Sequence, residues 1–353
     1  MRAAKFIIAT GGYQEIPSID GFDEIGCLTH ETILNLEEKP DSLAIVGAGP
    51  VGVEYAQTLS RLGVKVCLIE YQERVLPREE PEVSALVESI LLEEGVIVHT
   101  NYSVIKGIKK ENEVSLSIKA NRTGEEKNIN CRQVMVATGK TPSTKELGLD
   151  KVGVERDEKG FIKTDRQQRT SLSHIWACGD VCGLYQFTHY ADHTAQIAAL
   201  NAAYRNFIPF IRRETEVVPW CTFFDPEVAS VGMRVKEASD KYGAENIHVL
   251  NFDLSDFDRA ILDQEARGFM LAVVNKKGKI LGATIIGARA GEIIHEFSIA
   301  MKNNISITAL SKTIHVYPTM SAAVRSLAAQ YYKTAAKDSV GLKMAKFLAA
   351  RLR

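Results

Sequence analysis

Leu43-Ala44-Ile45-Val46-Gly47-Ala48-Gly49-Pro50-Val51-Gly52 joins four consecutive apolar residues to a glycine turn, and Val51 to Leu62 continue with helical spacing. A buried strand, a tight turn and a helix are expected in that order. Each glycine of this Gly-x-Gly-x-x-Gly has a physical reason: Gly47 permits the turn, Gly49 lets backbone approach a pyrophosphate, and Gly52 lets the helix pack closely on the strand. The helix N-terminus then faces the phosphates with a favourable dipole, worth ~0.3–1 kcal/mol. A second apolar run from Val64 to Ile69 ends on Glu70 and completes a βαβ unit. A carboxylate there accepts hydrogen bonds from the ribose hydroxyls of NAD and repels the 2′-phosphate of NADP. Arg74, close by, keeps NADPH as the minor alternative.

Outward from this unit, Glu82 to Glu94 has helical spacing behind Pro81 and stops at Gly95, and Val96-Ile97-Val98 supplies another strand. Residues 102–130 alternate in short stretches, as in an antiparallel meander, and Val134 to Ala137 close the region. Ile8-Ala9-Thr10-Gly11 and Val136-Ala137-Thr138-Gly139 share one form, a strand running into a small-residue turn past which a ligand can run closely. Ile175-Trp176-Ala177-Cys178-Gly179-Asp180 is a further buried strand, followed by a helix from Thr188 to Tyr204. Asp180, at a strand end, suits a sugar or ribityl hydroxyl. From Thr215 the pattern changes: Gly268–Val274 and Ile280–Ile286 read as a hairpin around Lys276-Lys277-Gly278, with helices at Gly291–Lys302 and Ser321–Lys333. That is an α+β unit, distinct from the α/β region before it.

The length of 353 residues argues for two or three packed units, and 45% hydrophobic residues supply their cores. A net charge of −1 removes the basic footprint of a nucleic-acid binder. No apolar run approaches the ~20 residues that span a bilayer. The apolar part of MRAAKFIIATGG is too short for a secretory signal, and six scattered cysteines read as reduced thiols. A cytoplasmic protein is expected. The tail Leu342–Arg353 has apolar residues at helical spacing with four cationic ones, and is expected to form a solvated or interface-packed helix rather than a membrane-surface one.

The ordered series ATGG (9–12), GAGPVGVEYA (47–56), VATGKTPST (136–144), ACGD (177–180) and HVYPTMSAAVR (315–325) resembles the FAD-dependent pyridine nucleotide–disulfide oxidoreductases. Tyr317 before Pro318, and Val218-Pro219-Trp220-Cys221 leading into Phe224-Asp225-Pro226-Glu227, resemble the mercuric-reductase-like branch. The resemblance implies a Rossmann-like NAD-binding domain (39–145) inserted in a truncated FAD-binding domain (1–38 and 146–214), then an α+β dimerisation domain (215–353). It implies that Thr10, Gly11, Gly179 and Asp180 line the FAD site, with Asp180 holding the ribityl chain, and that Gly139 is cofactor-binding. Gly47, Gly49, Gly52 and Glu70 would hold NAD. Glu54 matches the glutamate that pairs with a lysine near the flavin, and Thr188 and His189 match the segment under the isoalloxazine edge. Glu54, Tyr317 and His315 are the catalytic candidates. A homodimer is implied, with Met301, Ile305, Ile307, Leu310, Ile314, Met320, Val324 and Leu327 supplying apolar positions, some of which must pack internally against the strands at 268–286.

The chain departs from the family in two places. It carries no second Gly-x-Gly-x-x-Gly and no Cys-x-x-x-x-Cys, and Tyr317 and Ala322 stand where the dithiol enzymes place an acid–base His and Glu. Turnover of lipoamide or glutathione disulfide is therefore not expected. The expected function is an NAD(P)H-to-FAD oxidoreductase passing electrons to a disulfide, a metal ion or another small acceptor, with this chain a fragment of a longer enzyme. The alternative is a non-catalytic, NAD-binding, dimerising remnant or split subunit.

Overall fold

A computed structural model describes residues 3–204 and 212–338; the helix expected at 342–353 lies outside them. The chain divides into two compact units, Met1–Gly49 with Tyr102–Thr215, and Pro50–Asn101 with Glu216–Arg353.

In the first unit, the strand Ser42–Val46 runs parallel to Gln133–Val136. The expected meander forms from Tyr102–Lys109, Val114–Ala120 and Glu126–Cys131, all antiparallel. Phe6–Ile8 pairs in parallel with Ile175–Ala177, and Gly12–Gln14 pairs antiparallel with Lys140–Pro142. The two Ala-Thr-Gly passages are thereby laid side by side, and the Ser143 amide donates to the Gly11 carbonyl at 3.0 Å. The helix Thr188–Tyr204 packs Ala198 and Ala202 against Trp176 and Cys178. Ile175, Trp176 and Ala177 are buried, whereas Phe6 and Ile7 are 46% and 43% exposed on a strand with a partner along one edge.

The second unit opens with the helix Pro50–Arg61, the strand Lys65–Glu70, the helix Pro81–Glu93 with Pro81 at its first turn, and the strand Ile97–Thr100. The two strands pair in parallel. A five-stranded antiparallel sheet follows, in the order Pro219–Thr222, Val228–Gly232, Ile280–Ile286, Phe269–Asn275, Ile247–Asp253. Only the central hairpin is legible in the sequence. Pro219–Thr222 is short and begins on proline, and Ile247–Asp253 is broken up by His248, Asn251 and Asp253.

The helices Ala290–Lys302, Ile307–Lys312 and Ala322–Asp338 share one core with this sheet. That core divides the expected apolar set: Ile307, Leu310, Met320, Val324 and Leu327 are the ones that pack internally and are withdrawn from any interface. Helical periodicity places them on one face but does not say which neighbour covers it. Met301 is half-buried, and Ile305 and Ile314 are exposed. The apolar surface also includes Ile261, Leu262, Ile299 and Val316.

Candidate functional site

Gly47 has φ +106°, and a Cβ on it would lie 2.6 Å from the Ala137 carbonyl oxygen, so the turn requires glycine. Gly49 is different. A Cβ there would meet nothing within 4 Å, which leaves backbone open to a close-passing group. Gly52 is buried in the first turn of the helix. Glu70 ends its strand, buried, and its Oε1 accepts from the Gln72 amide at 2.8 Å. Arg74 donates from Nη2 to the carbonyls of Pro77 (3.1 Å) and Glu79 (3.2 Å).

The loop after Glu70 is fastened to the five-stranded sheet. The Glu79 carboxylate, 4% exposed, accepts from Trp220 Nε1 at 2.6 Å and from Ser230 Oγ at 2.8 Å. Glu80 Oε1 accepts from the Val235 amide at 2.6 Å, and the Arg234 guanidinium donates to the Arg78 carbonyl. Burial pushes the Glu79 carboxyl above its ordinary range despite the two donors. Nothing in the sequence pattern marks Glu79, because its partners lie about 140–150 residues downstream.

Glu54 lies one turn into the nucleotide helix, and its Oε1 accepts from the Phe223 amide at 2.7 Å. Burial raises its carboxyl. Gln57, on the same face, takes the Asp225 amide on Oε1 (2.7 Å) and gives Nε2 to the Asp225 carbonyl (2.8 Å), as a strand neighbour would. Arg61 adds bonds to Asp225 and Glu94.

In the first unit, Thr10 Oγ1 donates to the Ser143 carbonyl at 2.8 Å. Gly11 (φ +68°) and Gly139 (φ +112°) both face space in which a Cβ would meet nothing within 4 Å. The Gly179 amide donates to Thr194 Oγ1, and Asp180 Oδ2 lies 3.0 Å from Lys140 Nζ. Lys140 follows the second Ala-Thr-Gly turn directly, yet sequence reasoning passed over it. Thr188 and His189 start their helix exposed, with the His189 ring stacked on Phe187 at 5.3 Å. Open backbone at glycines beside a strand-end carboxylate is a donor set that fits a dinucleotide with a polyol chain. The thiols nearest this turn are poor nucleophiles: burial raises Cys178, and pushes Cys182 to about 12. Cys221, in the other unit, is also pushed up to about 12.

Tyr317 and His315 sit on an exposed strap of the second unit. Tyr317 Oη donates to Asp258 Oδ2 at 2.8 Å; His315 places Nε2 3.0 Å from Glu296 and Nδ1 3.2 Å from the Thr313 carbonyl. Ile314 and Val316, between them, are 94% and 76% exposed.

Residues 1–195 match the family described as "Pyridine nucleotide-disulphide oxidoreductase", and residues 218–328 match its dimerisation domain. The chain belongs to this family, whose members are FAD-dependent oxidoreductases that also bind NAD(P). It is similar to the mercuric reductase of Streptomyces lividans, 33% identical over 96% of this chain and 70% of that one. It is also 33% identical to a dihydrolipoyl dehydrogenase of Bacillus subtilis, over 91% of this chain and 66% of that protein's length. Among solved structures, the HOCl-induced flavoprotein disulfide reductase RclA from Escherichia coli superposes with TM-score 0.82 at 28% identity, covering 92% of this chain and 73% of that one. Among the described residues no helix is long and apolar enough to cross a membrane.

Proposed function

We propose that this chain serves a flavin-dependent oxidation of NADH that delivers electrons to a small acceptor, as a homodimer in the cytoplasm. Residues 1–38 and 146–214 are read as parts of the FAD-binding domain, 39–145 as the NAD-binding domain and 215–353 as the dimerisation domain. FAD, when bound, supplies the two-electron transfer between nicotinamide and acceptor. The chain's own residues bind and orient. Gly49 exposes backbone to the NADH pyrophosphate, and Glu70 accepts from the ribose hydroxyls. Thr10, Gly11, Gly139, Gly179 and Asp180 receive the flavin's ribityl and phosphate groups, with Thr188 and His189 at its ring. Tyr317 is assigned to the acceptor side; its phenol donates to Asp258 on an exposed strap that His315 anchors to Glu296.

The observation that carries this reading is the trio Gly11, Gly49 and Gly139, each with backbone facing open space at a strand-end turn. The relatives' names offer a disulfide or a metal ion as the acceptor class. Six scattered cysteines, none of them in a disulfide among the described residues, support a reducing compartment.

Absorbance of the purified protein tests the proposal: stoichiometric flavin bands that bleach on adding NADH are expected. A second reading, a subunit that holds flavin only with another chain, is favoured by the half-exposed Phe6 and Ile7 on a strand that, among the described residues, pairs along one edge. A colourless protein that still binds NADH would support this second reading and sink the first.

A further inference from the structure

Arg74 is the cation nearest in sequence to Glu70, and so the first candidate to meet a 2′-phosphate on a nucleotide whose ribose Glu70 holds. It is not left loose. Its Nη2 is shared between the carbonyls of Pro77 and Glu79, inside the loop of which Glu79 is the buried anchor. Within this loop the Glu79 amide donates to the Leu76 carbonyl at 2.9 Å, and Ser84 Oγ donates to the same carbonyl at 3.2 Å. The one residue Glu79 therefore does two things. Its side chain is locked to Trp220 and Ser230 of the sheet, and its carbonyl holds the Arg74 guanidinium.

Resting on the reading of Glu70 as the NAD ribose carboxylate, we infer that Glu79 is a specificity-determining residue for NADH over NADPH. It fixes the loop in the shape that retains Arg74. A carboxylate at Glu70 repels the 2′-phosphate, and the retained guanidinium is withheld from neutralising it. Glu79 touches no nucleotide; it acts through Arg74, as a positioning residue. Glu80 and Arg234 hold the same loop at neighbouring points, so the loop stays folded when Glu79 is changed, while the backbone at 77–79, released from Trp220 and Ser230, no longer turns both carbonyls onto Arg74.

The test is a comparison of NADH and NADPH dissociation constants, by quenching of intrinsic fluorescence, for the wild type and the variants Glu79→Ala, Glu79→Gln, Arg74→Ala and the double variant Arg74→Ala/Glu79→Ala. Glu79→Ala is expected to shift the NADPH-to-NADH preference towards NADPH by about tenfold, the size of one charge-assisted contact. Glu79→Gln, which keeps an oxygen for Trp220, retains the wild-type preference. The double variant loses the gain. Loosened packing alone would weaken both nucleotides equally and leave their ratio unmoved.

An unchanged ratio in Glu79→Ala, or a shift that persists in the double variant, overturns the inference. If Glu79→Ala does not fold, Trp220→Phe removes one of the two donors and is expected to move the ratio in the same direction. Failure of the wild type to bind NADH would instead overturn the underlying reading of Glu70.

Discussion

Two glycines only two residues apart are expected to respond to alanine in opposite ways. Gly47→Ala places a methyl 2.6 Å from the Ala137 carbonyl oxygen at φ +106°. The backbone strain costs about 1–2 kcal/mol, and the displacement of the neighbouring strand end adds about 1–3 kcal/mol. The sum of about 2–5 kcal/mol lowers Tm by roughly 5–15 °C. Gly49→Ala meets no atom within 4 Å and is not in the left-handed region, so folding is unaffected or gains up to ~1 kcal/mol from the stiffer unfolded chain. Its methyl does, however, fill the space in which a pyrophosphate would lie. Calorimetry should show Gly49→Ala melting with the wild type while its NADH dissociation constant, by titration calorimetry, rises at least about tenfold. Wild-type NADH affinity in Gly49→Ala would refute the placement of the pyrophosphate over this turn, whatever happened to Gly47→Ala.

The remaining expectations concern stability and assembly. Because burial raises the Glu79 carboxyl above its unfolded value of 4.5, the native state holds that proton more tightly than the unfolded chain. Its contribution is complete below about pH 4.5 and is lost as pH rises through the folded value. Urea titrations from pH 4 to 8 should therefore show wild type losing stability relative to Glu79→Gln, and parallel curves would contradict the burial argument. Gln57→Ala removes both bonds to the Asp225 backbone and should cost about 1–2 kcal/mol in chemical unfolding. Light scattering is expected to give twice the 39.0 kDa chain mass, and Ile314→Asp with Val316→Asp is expected to reduce it to the monomer value. A wild-type mass of one chain would remove the dimer.

The βαβ unit was legible from residues alone. Glycine spacing dictates a turn that other residues cannot adopt, and the apolar periods of 2 and 3.6 dictate what flanks it, so Ser42–Val46, Pro50–Arg61 and Lys65–Glu70 stand within a residue or two of expectation. The helix Thr188–Tyr204 and the hairpin around Lys277 were legible for the same reason. What the chain does with its polar groups was not. Glu54 reads as a family position, and only folding brings the Phe223 amide to it across 169 residues; Arg74 reads as a mobile cation, and only the loop's closure turns two carbonyls onto it. Likewise Leu310, Leu327 and Ile314 are all large apolar residues of one region, yet two are buried and one stands in water. Backbone conformation is written in short-range spacing. Which carboxylate is buried, which cation is held and which apolar face is left uncovered depend on surfaces contributed by distant segments, and those exist only once the chain has packed.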